Sequence, residues 1–504
     1  MSRGSFGAAC ASAVLLTGCS LAPKYRPPPP PQVSSYKEAG DWMPATPADA
    51  QPRGPWWEAF GDPTLSGLER QLRESNPDLQ AAVARFEEAR GVAIRARSDI
   101  FPTLDADASA KRGKASANTA LSRALGGGPS HPQNDFLAGL DLSWEVDLFG
   151  RLRNTAAAAR AQAQASAADL AAVELSLQAE VATDYFSLRG DDTTIQLLQD
   201  TIKVYDRAYE LTRNRYQEGI SAATDVDQAD TLRQNARSQL AAVNLERAQL
   251  EHAIAVALGK VPSGFTLEPG SLAGTPPAMD AGLPSKLLER RPDVGRAERA
   301  MAAANAQIGV ARAAWFPVFS LSGSGGFESV LSSSWFNAPS RFWSVGPGAT
   351  VPLLDAGARY GLNKQARAQY EEAAATYRKT TLTAYQEVED HLAGLHHLAD
   401  QRKFDEAAAA SAQSSAYHAD QRYEQGVADY IEVTTTHTAA LNAQRDTISV
   451  RVAQINAAVA LVRATGGGWT QDQLAPPLGV PSLTPAGGSL AGRSVAARSH
   501  PVMP

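Results

Sequence analysis

Residues 215–220 read RYQEGI and residues 422–427 read RYEQGV, the same phrase returning 207 positions later. A longer match lies upstream. NPDLQAAVARFEEARGVAIRARSDIFP (76–102) and RPDVGRAERAMAAANAQIGVARAAWFP (291–317) are offset by 215 and share Pro77/Pro292, Asp78/Asp293, Phe101/Phe316 and Pro102/Pro317. A tandem duplication of this kind predicts that each half folds into the same ordered set of elements. The set is a helix ending in Phe-Pro, a variable stretch, a long helical segment, the RY..G phrase and a second helix. The repeats are expected to occupy 56–275 and 276–469.

After each Phe-Pro the pattern changes to period 2, which predicts strands with two different faces. In 134–150, Phe136, Ala138, Leu140, Leu142, Trp144 and Val146 alternate with Leu137, Gly139, Asp141, Ser143, Glu145 and Asp147. One face is oily and the other acidic. In the second half Phe319 and Leu321 alternate with Ser320, Ser322 and Ser324, and Trp343, Val345, Ala349, Val351 and Leu353 share one face of a later strand. Two strands per half make four. A half-buried soluble sheet shows the same alternation. Phe and Trp near the strand ends, with no adjoining helix carrying spare apolar surface, favour a lipid-facing sheet. Four strands cannot close in lipid, because the smallest transmembrane barrels need about eight. Oligomers are therefore expected, and the pattern alone leaves two copies and three copies open.

The other segments are long helices. From about Arg151 to Tyr216 there is no proline and a single glycine, Gly190, a run that as helix reaches roughly 100 Å. Val181, Leu188, Ile195, Ile202, Tyr209 and Tyr216 recur every seven residues, as do Ala222, Ala229, Ala236, Val243, Leu250 and Ala257, and Leu441, Ile448, Ile455 and Val462. Sustained heptads predict helices packed lengthwise, with small residues allowing close approach. Each RY..G phrase then marks the end of a long helix. Gly219 and Gly426 suit the left-handed C-cap, Ser221 or Thr224 is the expected N-cap of the returning helix, and Asp225 and Asp227 are expected in its first turn.

The termini differ in kind. Residues 1–18 are built like a secretory signal: Arg3, a short apolar run, then Leu16-Thr17-Gly18-Cys19. The chain has two cysteines, Cys10 and Cys19, so disulfides and cysteine metal sites are excluded beyond residue 19. Residues 19–55 include Pro27 to Pro31, a stiff spacer, and 470–504, rich in Gly, Pro, Ser and Ala, read as a disordered tail. A net charge of −6 without a basic cluster argues against nucleic acid as a partner. Chemistry is equally unpromoted. His391, His396 and His397 share a helix without an HExxH arrangement, and GSGG (323–326) lies in a strand without a following helix to hold phosphate. The expectation is a protein that is not an enzyme and needs neither cofactor nor metal.

WEVDLFGRLRN (144–154), LLERRPDVGRAERAMAAANAQIGVARAAWFP (287–317), VPLLDAGARY (351–360) and RYEQGVADYIEV (422–433), together with Cys19, resemble the TolC-like outer-membrane efflux proteins, in the lipoprotein branch called NodT-type. The resemblance covers roughly 19–469, in order and in both repeats. It implies an α+β membrane protein, a homotrimer with a twelve-stranded β-barrel continued by a periplasmic α-helical barrel, delivered to the outer membrane with Cys19 lipidated. Ser20 stands where an Asp would resemble an inner-membrane retention signal. The implied partners are outer-membrane lipid, a periplasmic adaptor and an inner-membrane, usually proton-driven, pump that passes drugs or other small molecules to this duct. A type I secretion duct for polypeptides would use the same architecture, and a non-conducting envelope lipoprotein is a further alternative.

Two sets of residues follow from the resemblance. Arg215, Tyr216 and Gly219, with Arg422, Tyr423 and Gly426, resemble the hairpin ends against which adaptors dock; pure helix capping is the competing reading. The family gate, an aliphatic residue followed one turn later by a carboxylate, falls on Ile431 and Thr435. Thr435 departs from the usual acid, so an acidic ring is expected from Asp429, Glu432, Asp225 or Asp227, unless Ile431 packs between helices and the acids cap them.

Overall fold

The computed structural model describes residues 20–28, 36–39, 55–114, 116, 131–272 and 290–469. The signal segment, Cys19, part of the proline run and the C-terminal segment 470–504 lie outside the described residues.

Each half enters through a proline-started helix, where the missing N–H costs nothing. In the first half, α1 (Pro63–Ser75) is capped by the Asp62 side chain, which accepts from the Thr64 and Leu65 amides. The next helix, α2 (Pro77–Ser98), is capped by Asn76, which accepts from Leu79. It leads through Phe101-Pro102 to β1 (Thr103–Gly113) and β2 (Gln133–Val146). Gly150, at φ +76, turns the chain into α3 (Arg151–Gln217), 67 residues long, and α4 (Ala223–Ala257) returns with 35 residues. In the second half, α5 (Pro292–Ala313) leads through Phe316-Pro317 to β3 (Val318–Ser329) and β4 (Arg341–Thr350). Gly357, at φ +93, then starts α6 (Ala358–Glu424), again 67 residues, and α7 (Tyr430–Ala464), again 35. None of the described helices is long and apolar enough to cross a membrane.

The four strands form one antiparallel sheet in chain order, so β1 and β4 are its edges. Register places like with like across it. Leu104, Ala106, Ala108 and Ala110 face Leu142, Leu140, Ala138 and Phe136. These continue through Leu321, Gly325 and Phe327 to Val345 and Trp343. The opposite face carries Asp105, Asp107, Asp141, Ser143, Ser322 and Ser324. Because side chains alternate strictly, a slip of one residue would exchange the two faces, so the alternation specifies this register. The period-2 reading of β4 extends too far: the strand ends at Thr350, and Val351 and Leu353 lie beyond it. Pro352 has no amide to continue the ladder.

The helices pack lengthwise. Along the heptads Val181, Leu188, Ala229, Ala236, Val243, Leu441, Ile455 and Val462 are buried, and Ile195, Ile202, Tyr209 and Ile448 half-buried. At Gly190 the approach is close. A Cβ there would lie 2.4 Å from Val452 Cγ2 of α7, so the one glycine of α3 allows the two helices to touch. Where the two halves meet, two larger clusters form the core. One gathers Trp56, Trp57, Leu65, Leu72, Tyr185, Ile254 and Val459, and the other Tyr36, Val294, Met301, Tyr385 and Leu461. Away from those two clusters the described parts of the helical arms are held by small clusters such as Leu198, Val243 and Leu441.

Candidate functional site

The fold leaves two surfaces unexplained by packing, the sheet and the helical tips. On the sheet, large apolar side chains stand in the open: Trp343 is 79% exposed, with Leu104, Leu140 and Val345 also uncovered. Aromatic rings gather at its ends. Phe149 stacks on Phe316 at 4.5 Å and Phe136 packs on Trp335 at 5.3 Å.

At the tips, Gly219 (φ +75) and Gly426 (φ +74) occupy the left-handed region. Their hydrogen bonds repeat. The Ile220 amide donates to the Arg215 carbonyl at 2.8 Å and the Gly219 amide to Tyr216 at 3.0 Å. In the second tip Val427 donates to Arg422 at 2.9 Å and Gly426 to Tyr423 at 3.0 Å. This double closure satisfies the orphan carbonyls at a helix end, and it needs a residue that tolerates positive φ. The C-cap expectation therefore stands. The N-cap expectation does not: α4 is entered from Ala222 without a side-chain cap, and Thr224 is exposed inside the helix. The Ser221 hydroxyl lies instead 3.4 Å from the Tyr423 hydroxyl, drawn to the other hairpin. Asp225 is in the first turn as expected, whereas Asp227 lies beyond it.

Side chains with equivalent places in the two repeats do different things. Arg215 crosses from the first hairpin to the second, its guanidinium 5.2 Å from the Tyr423 ring centroid. Arg422 stays within its own hairpin and donates to Glu432 at 2.8 Å. Tyr216 is 49% exposed, while Tyr423 packs edge-on against Tyr430 at 5.1 Å beside Ala229, Ala419 and Val433. Ile431 is 59% exposed, so it does not pack between helices within the chain. Thr435, one turn on, returns its hydroxyl to the Ile431 carbonyl at 2.8 Å. Asp429 precedes α7 without a side-chain cap bond. Tyr216, Ile220, Val427 and Ile431 together make the tips markedly apolar for exposed helix ends.

Sequence reasoning passed over one further group. Between α3, α6 and α7, just above the tips, the His437 ring meets the Asp420 carboxylate at 2.8 Å and packs edge-on against Tyr205 at 5.7 Å. Tyr205, Asp420 and His437 are more than two hundred residues apart in part, and no local motif links them. The histidines considered from sequence stand elsewhere. His396 and His397 are exposed, and His391 is half-buried, its pKa lowered by burial and by nearby Arg463. Among the described residues no cluster of His, Cys, Asp and Glu is arranged to hold a metal ion.

At the sheet end, the N-terminal segment runs along α5. Ser20 Oγ donates to Asn154 Oδ1 at 2.9 Å, Asn305 donates to the Pro23 carbonyl at 2.9 Å, and the Tyr25 hydroxyl donates to Glu298. Asn154 lies in the first turn of α3, directly after the sheet.

The sequence matches the family described as outer membrane efflux protein over residues 68–260 and 283–467. It is 33% identical over 467 residues to the solvent efflux pump outer membrane protein SrpC of Pseudomonas putida, covering 91% of this chain and 97% of that protein. With the cation efflux system protein CusC of Escherichia coli O157:H7 it shares 32% over 464 residues, covering 91% and 98%. The fold is similar to the crystal structure of the Campylobacter jejuni CmeC outer membrane channel, with a TM-score of 0.81 at 25% identity, covering 90% of this chain and 96% of that one.

Proposed function

The chain belongs to the outer membrane efflux protein family, and we propose that it is the exit duct of a tripartite efflux system, receiving small molecules from an inner-membrane pump through a periplasmic adaptor. The sheet carries this reading. Its apolar face runs unbroken from Leu104 to Trp343, its edges β1 and β4 are unpaired within the chain, and it sits directly on two 67-residue helices. Lipid tolerates no open edge, so further copies must close it. We commit to three copies, the number the family implies, which bring four strands per chain to twelve. The face bearing Asp105, Asp107 and Asp141 then lines the lumen, and the helices continue it as a tunnel of roughly 100 Å.

Cys19 is the proposed lipid anchor. Its neighbour Ser20 is tied to the first turn of α3, beside the sheet, where an acyl chain reaches the bilayer. The tips are the proposed adaptor contact, through Tyr216, Ile220 and Val427, with Arg215, Gly219, Arg422, Tyr423 and Gly426 shaping the surface. Exposed apolar groups at a helix end in water mark an interaction site. Ile431 and Thr435 are the proposed gate, with Asp225, Asp227, Asp429 and Glu432 supplying negative charge around it. No step of this function is chemical, which accords with a protein that is not an enzyme.

Two measurements on one preparation test the duct. Native mass spectrometry in detergent is expected to give three protomers whose chains begin at an acylated Cys19, and planar-bilayer recording is expected to show discrete conductance steps. A stable monomeric pore, or a trimer that never conducts, defeats the reading.

A further inference from the structure

The apolar side of the four strands carries two charged side chains, Arg112 and Arg341. Every carboxylate of the strands faces the other way, as does Lys111, which lies opposite Asp135. The two arginines stand at the same end of the sheet, away from the helices: Arg112 is the last residue but one of β1, and Arg341 is the first of β4. These are the two edge strands. Their depth is marked by aromatic rings. Arg341 shares a cross-strand row with Phe327 and Ala138, its guanidinium 5.9 Å from the Phe327 ring centroid. The next row outward holds Phe136, and Arg112 stands in the row beyond, across from Asn134. Trp335 packs on Phe136 at 5.3 Å and Phe336 on Phe327 at 5.5 Å. Such an aromatic girdle marks the interface of a transmembrane barrel, the depth at which a charge on the lipid side is tolerated.

Among the described residues neither guanidinium has an ion-pair partner. Nor does the sequence place a carboxylate nearby: the connections 114–132 and 330–340 contain no Asp or Glu, and Asp135 and Glu328 face the lumen. A second copy brings the same acid-free surface. On closure, β4 of one copy adjoins β1 of the next at a strand spacing of about 4.8 Å, so Arg341 and the next copy's Arg112 come to neighbouring strands on the lipid side. Guanidinium forks match phosphate oxygens. We infer that each seam between copies binds a phosphorylated lipid headgroup of the outer leaflet. Arg341 of one copy and Arg112 of the next donate to its phosphate oxygens, and its acyl chains lie on Trp343, Val345, Ala108 and Ala110. The inference rests on the three-copy, lipid-facing reading above and adds to it a lipid class and the two residues that select it.

Native mass spectrometry of the full-length protein in detergent reads assembly and bound lipid in one spectrum. Diphosphoryl lipid A is expected to bind the trimer saturably and to stay bound in an excess of inorganic phosphate, whereas diacylglycerol, which has acyl chains and no phosphate, is not retained. Arg112→Gln and Arg341→Gln are each expected to weaken lipid A binding about tenfold, the scale of one hydrogen bond to a charged group. Lys111→Gln, on the lumen side of the same strand, is expected to leave it unchanged. Displacement by inorganic phosphate, equal retention of diacylglycerol, affinity unmoved in both arginine variants, or an equal loss in Lys111→Gln overturns the site while the trimer stands. A spectrum without trimers overturns the closure and the seam together.

Discussion

The Arg215 guanidinium of the first hairpin lies over the ring of Tyr423 in the second, 5.2 Å from its centroid, and donates to the Glu424 carbonyl at 3.3 Å. The same phrase in the two repeats is thus used asymmetrically: one arginine ties the hairpins together and the other braces its own. The tyrosines divide in the same way, one exposed and one packed.

This asymmetry separates docking from packing. Tyr423→Ala removes a ring packed against Tyr430 and Ala419 and is expected to cost about 3 kcal/mol locally, lowering both assembled trimer and drug resistance. Tyr216→Ala removes an exposed ring and is expected to lower resistance while trimer stays at the parental level. Immunoblots of outer-membrane trimer beside minimum inhibitory concentrations distinguish them; parental resistance in Tyr216→Ala rules that ring out of the adaptor contact.

The gate proposal is tested by conductance. Ile431 is exposed, so Ile431→Gly removes an obstruction without opening an internal cavity and is expected to raise single-channel conductance. Asp429→Asn is expected to lower cation preference by weakening the field at a narrow mouth. Glu432→Gln also removes the charge from the ion pair with Arg422, so it is expected to change both selectivity and open probability. Reversal potentials in a salt gradient read selectivity, and unchanged values in all three variants place the constriction elsewhere.

The C-caps carry a backbone prediction. Gly219 and Gly426 have open space around them, so a methyl group meets nothing. The cost of Gly426→Ala is conformational alone, about 1–2 kcal/mol for left-handed backbone. Hydrogen exchange of the Val427 amide is expected to accelerate roughly tenfold in Gly426→Ala, in proportion to that destabilisation. Protection equal to the parent refutes the strain argument.

Glu69 carries the pH prediction. It is completely buried, neither carboxyl oxygen has a partner, and burial pushes its pKa up to about 9, with Arg73 opposing and Glu174 reinforcing. The folded pKa lies above the unfolded one, so the folded state holds a proton that the unfolded chain releases as pH rises. Stability linked to this group is therefore full below about pH 4.5 and falls up to about pH 9. Glu69→Leu is expected to raise the thermal unfolding temperature at pH 7.5 by several degrees and to change it less at pH 5. An equal shift at both pH values means that packing rather than ionisation sets the cost.

Much of the architecture could be read before any coordinates. The span predicted from Arg151 to Tyr216 is α3 within one residue, because an unbroken run of good helix formers leaves the backbone no reason to stop before Gly219. The faces of β2 followed from period 2, and the turn glycines from their place at the end of a periodic run. Where local reading failed, a distant element intervened. Ser221 looks like an N-cap until Tyr423, 202 residues away, lies against its hydroxyl; the end of β4, by contrast, is a local matter, since Pro352 offers no amide to the ladder.

Periodicity, glycine placement and repetition act through neighbours a few residues apart, and they specified the two strand pairs, the two hairpins and the requirement for closure by other copies. Pairings across the duplication belong to the folded molecule. Which tyrosine of the repeated phrase is packed, why Glu69 keeps its proton, and that Tyr205, Asp420 and His437 come together depend on how α3, α6 and α7 are rotated and shifted against one another. Those offsets are set by the sum of many contacts of a fraction of a kcal/mol each, and no single stretch of sequence records that sum.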